Sequence, residues 1–319
     1  MRSTALPPPA ELDSWIVDHR GLRNRLDPFR ANAQLVETER SAEGELVPVA
    51  TIFLSAKECP IRCLVCDLWK NALEEPVPPG AVPRQIERAL SELPPARQVK
   101  LYNAGSFFDP AAIPPEDREP IARLVRRFER VIVESHPSFV GPAVQELAGA
   151  IDGQLEVALG LETIHPEIFP LLNKRTTVAA MEKAARQLLD WGVDFRAFVL
   201  VGLPWCSEEE SIEWAVRSTK WALERGATAV SLIPARGGNG ATDELARLGE
   251  FAEPSLATIE KASAQALGSG SGRVFVDPWD LARFASCPRC LDPRLGRLER
   301  QNLGQRSLPP VRCSACGQE

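Results

Sequence analysis

Cys59, Cys63 and Cys66 stand in a C-x3-C-x2-C spacing just after the apolar run Val49-Ala50-Thr51-Ile52-Phe53-Leu54. A closed zinc site needs four ligands, usually delivered as paired C-x2-C knuckles, so three thiolates at this spacing fit zinc poorly. They suit a 4Fe–4S cluster, with three irons held by protein sulfur and the fourth open to a small molecule that can be bound and reduced. A zinc site or a chance spacing is the bland alternative. A second set lies near the C-terminus: Cys287-Pro288-Arg289-Cys290 and Cys313-Ser314-Ala315-Cys316-Gly317, two C-x2-C knuckles separated by 22 residues. This quartet offers a tetrahedral S4 site, read most economically as a zinc ribbon, with an auxiliary iron–sulfur cluster as the rival. So short a tail cannot bury enough apolar surface to fold without its metal. Cys206 is the one cysteine outside both sets. Thiols grouped for metal point to a reducing cytoplasm rather than to disulfides.

The elements that must position these groups follow a repeating pattern. From Val49 onward, short apolar runs alternate with amphipathic stretches, as in βαβ units. Strands are expected near 49–54, 98–103, 130–135, 154–161, 194–201 and 228–234. Helices are expected near 83–92, 115–129, 141–150, 166–191, 207–225 and 255–267. Ser207 followed by Glu208, Glu209 and Glu210 reads as an N-cap with acids in the first turn, and Gly226 as the C′ residue of the same helix. Six strand–helix pairs fall short of the eight of a closed TIM barrel, so an α/β partial (β/α)6 barrel is predicted. In such a barrel the functional groups gather at the C-terminal ends of the strands. The sequence obeys that rule. The cysteines follow the first run and Asn103-Ala104-Gly105-Ser106 the second; Glu134 and His136 end the third and Glu162 the fourth. Gly202-Leu203-Pro204 closes the fifth, and Arg236-Gly237-Gly238-Asn239-Gly240 follows the sixth.

The chain has 319 residues, enough for one large α/β domain with appendages. Residues 1–45 read as a mixed-charge lead-in, whose arginine-rich stretch His19–Arg25 is expected to be a solvated arm. Residues 46–278 form the barrel and 279–319 the four-cysteine module. Hydrophobic content of 44% and charged content of 25% are ordinary for a soluble protein, and a net charge of −6 gives no global reason to bind nucleic acid. No run approaches the roughly eighteen apolar residues of a membrane helix, and Met1 to Ala10 lacks the apolar stretch of a signal peptide. The tail is the exception in charge. From Arg283 onward it holds seven arginines (283, 289, 294, 297, 300, 306, 312) against Asp292, Glu299 and Glu319, a balance of +4. Arginines suit phosphate, so RNA docking is one reading of this module. The other is a structural cap on the open side of the barrel, since the module lacks aromatic residues for base stacking.

The segment Glu58-Cys-Pro-Ile-Arg-Cys-Leu-Val-Cys-Asp-Leu-Trp69 closely resembles the cluster loop of the radical S-adenosylmethionine (radical SAM) enzymes. Leu101-Tyr-Asn-Ala-Gly-Ser-Phe-Phe-Asp109, Gly160-Leu-Glu-Thr163 and Leu172-Asn-Lys-Arg-Thr-Thr177 look most like the group containing the archaeosine synthase radical subunit, a relative of the elongator catalytic subunits and tRNA methylthiotransferases. The resemblance covers roughly residues 52–240. It implies a partial barrel, a 4Fe–4S cluster on Cys59, Cys63 and Cys66, and S-adenosylmethionine as cofactor. The cofactors supply the hard chemistry and the protein orients them. By the same resemblance, Asn103-Ala104-Gly105-Ser106 takes the place of the glycine-rich segment that binds the methionine ammonium, although it departs from the commoner G-G-E form. Glu162 would reach the ribose hydroxyls, Lys174 or Arg175 the methionine carboxylate, and Gly202 would let backbone approach the adenine. Period-two alternation puts Glu162 on the face of Gly160, whose missing side chain makes room for a ligand.

Asn103, Glu134, His136 and Arg196 are the candidates on the substrate side. His136 precedes Pro137, which keeps it extended, and it titrates near neutral pH; a satisfied structural histidine is the alternative. Cys206 reads as a small packed thiol, and packing accounts for Tyr102. The leading expectation is a cytoplasmic radical SAM enzyme modifying a tRNA base, with archaeosine-type carbon–nitrogen bond cleavage implied by the resemblance. It would draw electrons from a donor such as flavodoxin or ferredoxin. The same chemistry on a small metabolite, and a non-catalytic metal-binding protein, stand as alternatives.

Overall fold

The structure, a computed structural model, describes residues 6–317. All six apolar runs form strands, within one eight-stranded sheet whose spatial order follows the chain: β1 Ala33–Arg40, β2 Leu46–Leu54, β3 Gln98–Asn103, β4 Arg130–Ser135, β5 Gln154–Glu162, β6 Asp194–Val201, β7 Ala229–Pro234 and β8 Arg273–Val276. Strands β2 to β8 are parallel, and β1 lies antiparallel against β2. Helices α2 Ala81–Glu92, α3 Arg118–Val125, α4 Pro142–Ala150, α5 Val178–Asp190, α6 Glu208–Glu224 and α8 Leu256–Ala266 cover the outer face. Their apolar stripes, such as Ile86, Ile121, Leu147, Leu188 and Ile259, pack with outward strand residues including Ile52, Leu101, Val133, Val157 and Val199 in one core. α6 opens on the expected Ser207–Glu210 capping box, which satisfies two otherwise orphaned N–H groups.

Charged side chains on the inner face show that the sheet curls. Glu39 of β1 reaches Lys100 of β3 at 2.5 Å, Arg196 of β6 at 2.5 Å and Arg273 of β8 at 3.8 Å. Glu156 of β5 reaches Arg196 at 2.7 Å, Arg130 of β4 at 3.0 Å and Arg273 at 3.3 Å. Only a curved sheet brings its first, middle and last strands onto shared carboxylates. The partial-barrel expectation is met, with two strands beyond the six read from the sequence. β1 lies in the stretch read as a lead-in, because Glu37 and Glu39 point inward to Lys100 and so give the strand a surface-like composition.

The expected helix over 166–191 is broken. A short 3-10 turn, Phe169–Leu172, precedes Asn173 and Arg175 in left-handed backbone, and α5 begins only after the Thr177 cap. The C-terminal segment carries the four-cysteine set, but its spacer is helical rather than a ribbon of strands. α9, Leu291–Gly304, places Leu291, Leu295 and Leu298 on the core at helical spacing and is preceded by Cys290 as N-cap. α9 also spans the open side of the sheet. Arg40 of β1 donates to Leu303 O at 3.2 Å. On the other edge, the Asn302 and Gln305 amides each exchange a donor and an acceptor with the backbone of Val276 and Val274, at 2.7–3.0 Å. These side chains give β8 the hydrogen bonds that a ninth strand would supply. Among the described residues, no helix is long and apolar enough to cross a membrane.

Candidate functional site

The loop carrying Cys59, Cys63 and Cys66 leaves the C-terminal end of β2 and is fastened to three neighbouring loops. Cys59 N–H donates to Ala104 O at 3.3 Å, and Leu64 N–H to Leu172 O at 3.0 Å. Asn173 Nδ2 donates to Arg62 O at 2.6 Å and Asn239 Nδ2 to Leu64 O at 2.9 Å. Leu64, fully buried, packs with Leu12 and Ile16 of α1, Leu12–Asp18, and with Ala241 and Leu245 of α7, Ala241–Arg247. Glu58, at the foot of the loop, pairs with Arg20 at 2.7 Å and with Arg23 and Arg62. The guanidinium groups of Arg20 and Arg23 stand 5.0 and 5.8 Å from the Trp69 ring centroid. The arginine-rich lead-in is therefore not the solvated arm its composition suggests. Two of its charges are spent holding the cysteine loop.

All three cysteines are free thiols. Burial pushes each of them up, Cys59 to about 11, and Cys63 adds to the rise of both Cys59 and Cys66. Beside them, Lys174 ends the loop that follows β5. Burial alone would lower its ammonium, but Glu162, Cys63 and Cys66 hold it above the usual lysine range. Lys174 Nζ pairs with Glu162 Oε1 at 2.9 Å. Glu162 has a left-handed backbone, φ 63°, at a bulge against β6. A Cβ on Gly160 would stand 2.6 Å from Glu162 Oε1 and 2.9 Å from Lys174 Nζ, so the room glycine leaves is filled by this ion pair.

The end of β3 closes on the same loop. A Cβ on Gly105 would come within 3.1 Å of Cys59 Cβ, so the turn at Ala104-Gly105 needs a small residue. Asn103 is only 4% exposed, yet neither atom of its side-chain amide has a partner among the described residues. Leaving such a group unpaired costs about 1–3 kcal/mol, which favours a polar ligand there. Its backbone N–H donates to Glu134 Oε1 at 2.5 Å. Burial lifts the Glu134 carboxyl to about 8, and that one hydrogen bond opposes the rise only in part. Ser106 Oγ accepts from His136 N–H at 2.8 Å.

Four of the residues expected at the site have other duties. His136 has both ring nitrogens engaged: Nε2 meets Lys174 O at 2.9 Å and Nδ1 meets Ser138 Oγ at 2.7 Å. A carbonyl can only accept, which assigns the proton to Nε2. Burial and the Lys174 charge push the imidazole down to about 4, so it is neutral and fixes the lysine backbone rather than exchanging protons with substrate. Arg196 lies in the ion-paired floor of the barrel, 2% exposed, with Glu39 and Glu156 as partners, and so is withdrawn from the substrate side. Arg175 pairs with Asp13 of α1. A Cβ on Gly202 would meet Pro254 Cδ at 2.5 Å, and that packing accounts for the glycine. Cys206 packs against Leu200, Leu203 and Trp214, and burial raises it to about 11. Asn173 and Asn239, the clamps on the cysteine loop, escape a sequence reading that weighs titratable residues; the left-handed Asn173 and the Gly-Gly-Asn-Gly context are their only signals.

No family model matches the chain. Among curated proteins it is similar to archaeosine synthase subunit beta of Thermococcus kodakarensis, 32% identical over 126 residues that cover 38% of this chain and 39% of that one. The subunit of the same name from Methanosarcina acetivorans is 28% identical over 164 residues, covering 49% and 47%. An uncharacterized protein of Methanocaldococcus jannaschii is 24% identical over 184 residues, covering 54% and 50%. The chain thus spans half or less of the length of these curated relatives. Among solved structures, Elp3 of the archaeon Methanocaldococcus infernus matches with a TM-score of 0.51 at 17% identity, over 69% of this chain and 58% of that one. Methylornithine synthase matches with a TM-score of 0.50 at 14% identity, over 71% and 64%. Both likenesses are to the fold, a partial α/β barrel. That barrel here carries the three-cysteine loop at the C-terminal end of its first parallel strand. The chain shares this partial-barrel fold with Elp3 and methylornithine synthase. Three free thiols, a buried amide with no partner among the described residues, and a lysine–carboxylate pair beside them form a donor set that fits an iron–sulfur cluster with an open iron and a polar ligand next to it.

The second cysteine set is built differently. Cys287 and Cys313 sulfurs are 4.0 Å apart, Cys290 and Cys316 3.9 Å, and all four lie within 4.8 Å of one another. Such a cage can hold a metal. Of the seven arginines nearby, Arg294 and Arg297 turn inward to Glu260, and Arg297 also to Leu308 O and Pro309 O, while Arg283 pairs with Glu253. Arg289, Arg300, Arg306 and Arg312 are all exposed at the surface.

Proposed function

We propose that this chain generates a substrate radical from S-adenosylmethionine and uses it to modify a tRNA base. One observation carries the radical part: three free thiols, the Lys174–Glu162 pair and the Asn103 amide converge at the C-terminal ends of β2, β3 and β5. Cys59, Cys63 and Cys66 would hold the 4Fe–4S cluster. Bound there, the cluster would relay one electron from an external reductant to S-adenosylmethionine, whose cleavage gives methionine and a 5′-deoxyadenosyl radical. The Ala104–Ser106 turn and the Asn103 amide offer hydrogen-bonding groups to the cofactor's amino acid end. Lys174 presents positive charge to its carboxylate, and Glu162 is placed for the ribose hydroxyls. His136 keeps Lys174 in position through the lysine carbonyl. An external reductant such as flavodoxin or ferredoxin supplies the electron.

The tRNA part rests on two relatives named archaeosine synthase subunit beta and on the surface residues Arg289, Arg300, Arg306 and Arg312, whose guanidinium groups suit phosphate. Carbon–nitrogen cleavage on a modified base is the reaction to test first. The C-terminal quartet holds one zinc ion in this reading. Around a single ion with metal–sulfur bonds of about 2.3 Å, tetrahedral sulfurs stand about 3.8 Å apart, and separations of 3.9 and 4.0 Å support that over a cluster.

Anaerobic reconstitution with iron and sulfide, followed by reductant, S-adenosylmethionine and total tRNA, tests the proposal. A brown protein, 5′-deoxyadenosine and a changed nucleoside in the tRNA digest are expected. A reconstituted brown protein that never yields 5′-deoxyadenosine sinks the radical reading; yield without any change in tRNA sinks the substrate.

A further inference from the structure

Lys174 is the middle residue of a three-residue bend that the chain holds from both sides. Asn173 and Arg175 each have left-handed backbone, φ 53° and φ 50°. Asparagine visits that region readily, whereas arginine stays there only where other contacts hold it. The three side chains divide: Lys174 reaches Glu162 of β5 at 2.9 Å, while Asn173 and Arg175 both reach Asp13 of α1.

Asp13 is the hub of these outer contacts. Its Oδ1 accepts from Asn173 Nδ2 at 2.7 Å, and its Oδ2 pairs with the Arg175 guanidinium. The same Asn173 amide donates to Arg62 O at 2.6 Å, inside the cysteine loop. One carboxylate, 160 residues upstream of Asn173, thus ties both flanks of Lys174 to each other and to the segment between Cys59 and Cys63.

Stability does not explain this arrangement. α1 is anchored by Leu12 and Ile16, at i and i+4, in a small apolar cluster with Leu64, Leu245 and Phe251 that is separate from the main core. The Asp13 and Arg175 side chains are 33% and 53% exposed, and solvated pairs of this kind add little to folding free energy. What the pair fixes is the course of the bend. The Lys174 ammonium is buried and has three N–H donors, of which one goes to Glu162, and His136 holds the lysine carbonyl at 2.9 Å. Two donors remain for a bound carboxylate, and the bend sets their direction.

Resting on the reading of Lys174 as partner of the cofactor carboxylate, we propose that Asp13 is a positioning residue. It holds the Asn173–Arg175 bend so that the Lys174 ammonium meets that carboxylate, which makes α1 part of the cofactor site. A small displacement of a charged partner is enough to lose most of its effect.

Two unreactive ligands separate positioning from mere folding. S-Adenosylhomocysteine carries the amino acid end; 5′-methylthioadenosine lacks it. In calorimetric titrations of the full-length, cluster-reconstituted protein, Asp13→Ala should weaken S-adenosylhomocysteine by about tenfold or more and Asp13→Asn by less. 5′-Methylthioadenosine should be held within about twofold, and the thermal midpoint within about 2 °C. In a Lys174→Met background, Asp13→Ala should add no further loss, because it acts through the lysine. Equal weakening of both ligands, no weakening of either, or additive losses in the double variant overturn the proposal. A second readout needs no ligand. The chain has three histidines, so selective nitrogen-15 labelling with His136→Gln for assignment isolates the His136 Nε2 proton, which is bonded to Lys174 O. Asp13→Ala should shift that resonance, and an unmoved one also overturns the proposal. If the parent protein binds neither ligand while the resonance still shifts, the cofactor reading fails and the hold of Asp13 on the bend stands.

Discussion

The floor and the rim of the barrel draw on the same strands, three residues apart on β3 (Lys100, Asn103) and four on β4 (Arg130, Glu134), and treat polar side chains in opposite ways. On the floor, Lys100, Arg130, Arg196 and Arg273 face Glu37, Glu39, Glu156 and Asp194, and every carboxylate has a cationic partner. Burial would lift Glu39, but Arg196 and Lys100 overcome it and hold that carboxyl well below its usual range. At the rim, among the described residues, the Asn103 amide is buried without a partner, Glu134 lacks a cation, and three thiols stand free. Inward polarity alone therefore does not mark a site. What marks it is polarity that the protein leaves unsatisfied, because such groups lower stability unless something else binds them.

That contrast can be broken most sharply at the rim. Cys63→Ser should reduce bound iron and 5′-deoxyadenosine formation to background while leaving the thermal transition nearly unchanged; metal analysis and calorimetry on one preparation decide it. Next in size is the floor. Glu156→Ala leaves Arg130, Arg196 and Arg273 without a shared acceptor, and should cost about 3–5 kcal/mol in urea unfolding. A loss under about 1 kcal/mol would show that the floor is not a closed ionic set. A third effect concerns pH. His136 sits at about 4 in the fold against an ordinary 6.5, so below 6.5 the unfolded chain binds the proton that the folded chain refuses. Stability should fall as pH drops from about 6.5 toward 4, by at most about 3 kcal/mol, and His136→Gln should flatten that limb. Glu134 runs the other way: the fold keeps its proton up to about 8, so stability falls as pH rises from 4.5 to about 8, and Glu134→Gln should remove that slope. The smallest effects belong to the exposed arginines. Arg300→Ala or Arg306→Ala should each lower the salt slope of tRNA binding by about 1, with stability unchanged within about 0.5 kcal/mol.

The rim was more legible in the sequence than the floor. Cysteine spacing is local, and the rule that function gathers at strand ends is enough to put Asn103 and Glu162 at the same end of the sheet; Lys174 was picked out only by the resemblance of its segment. The floor is a long-range object. Arg196 looked available because Glu39, 157 residues earlier, lies on a strand whose inward charges disguise it as surface. β8 has a related disguise, with four residues of which one is the buried Arg273. His136 was read by residue type, but its role depends on a carbonyl 38 residues away. The Arg20 and Arg23 contacts with Glu58 likewise have no local signature. The helical spacer between the two C-terminal cysteine pairs is legible in principle from Leu291, Leu295 and Leu298, but the knuckle spacing on either side of it is the louder signal and points to a ribbon.

An open sheet ends in a row of unpaired backbone groups, and such a row invites strands from neighbouring molecules. Here the invitation is withdrawn by two side chains, since Asn302 and Gln305 occupy the amides and carbonyls of Val274 and Val276. Their helix begins at Cys290, so the cage of sulfurs at one end and the guarded border at the other belong to one rigid rod. Loosening the cage would thus be felt first as self-association along that border, well before the catalytic end of the molecule noticed any loss.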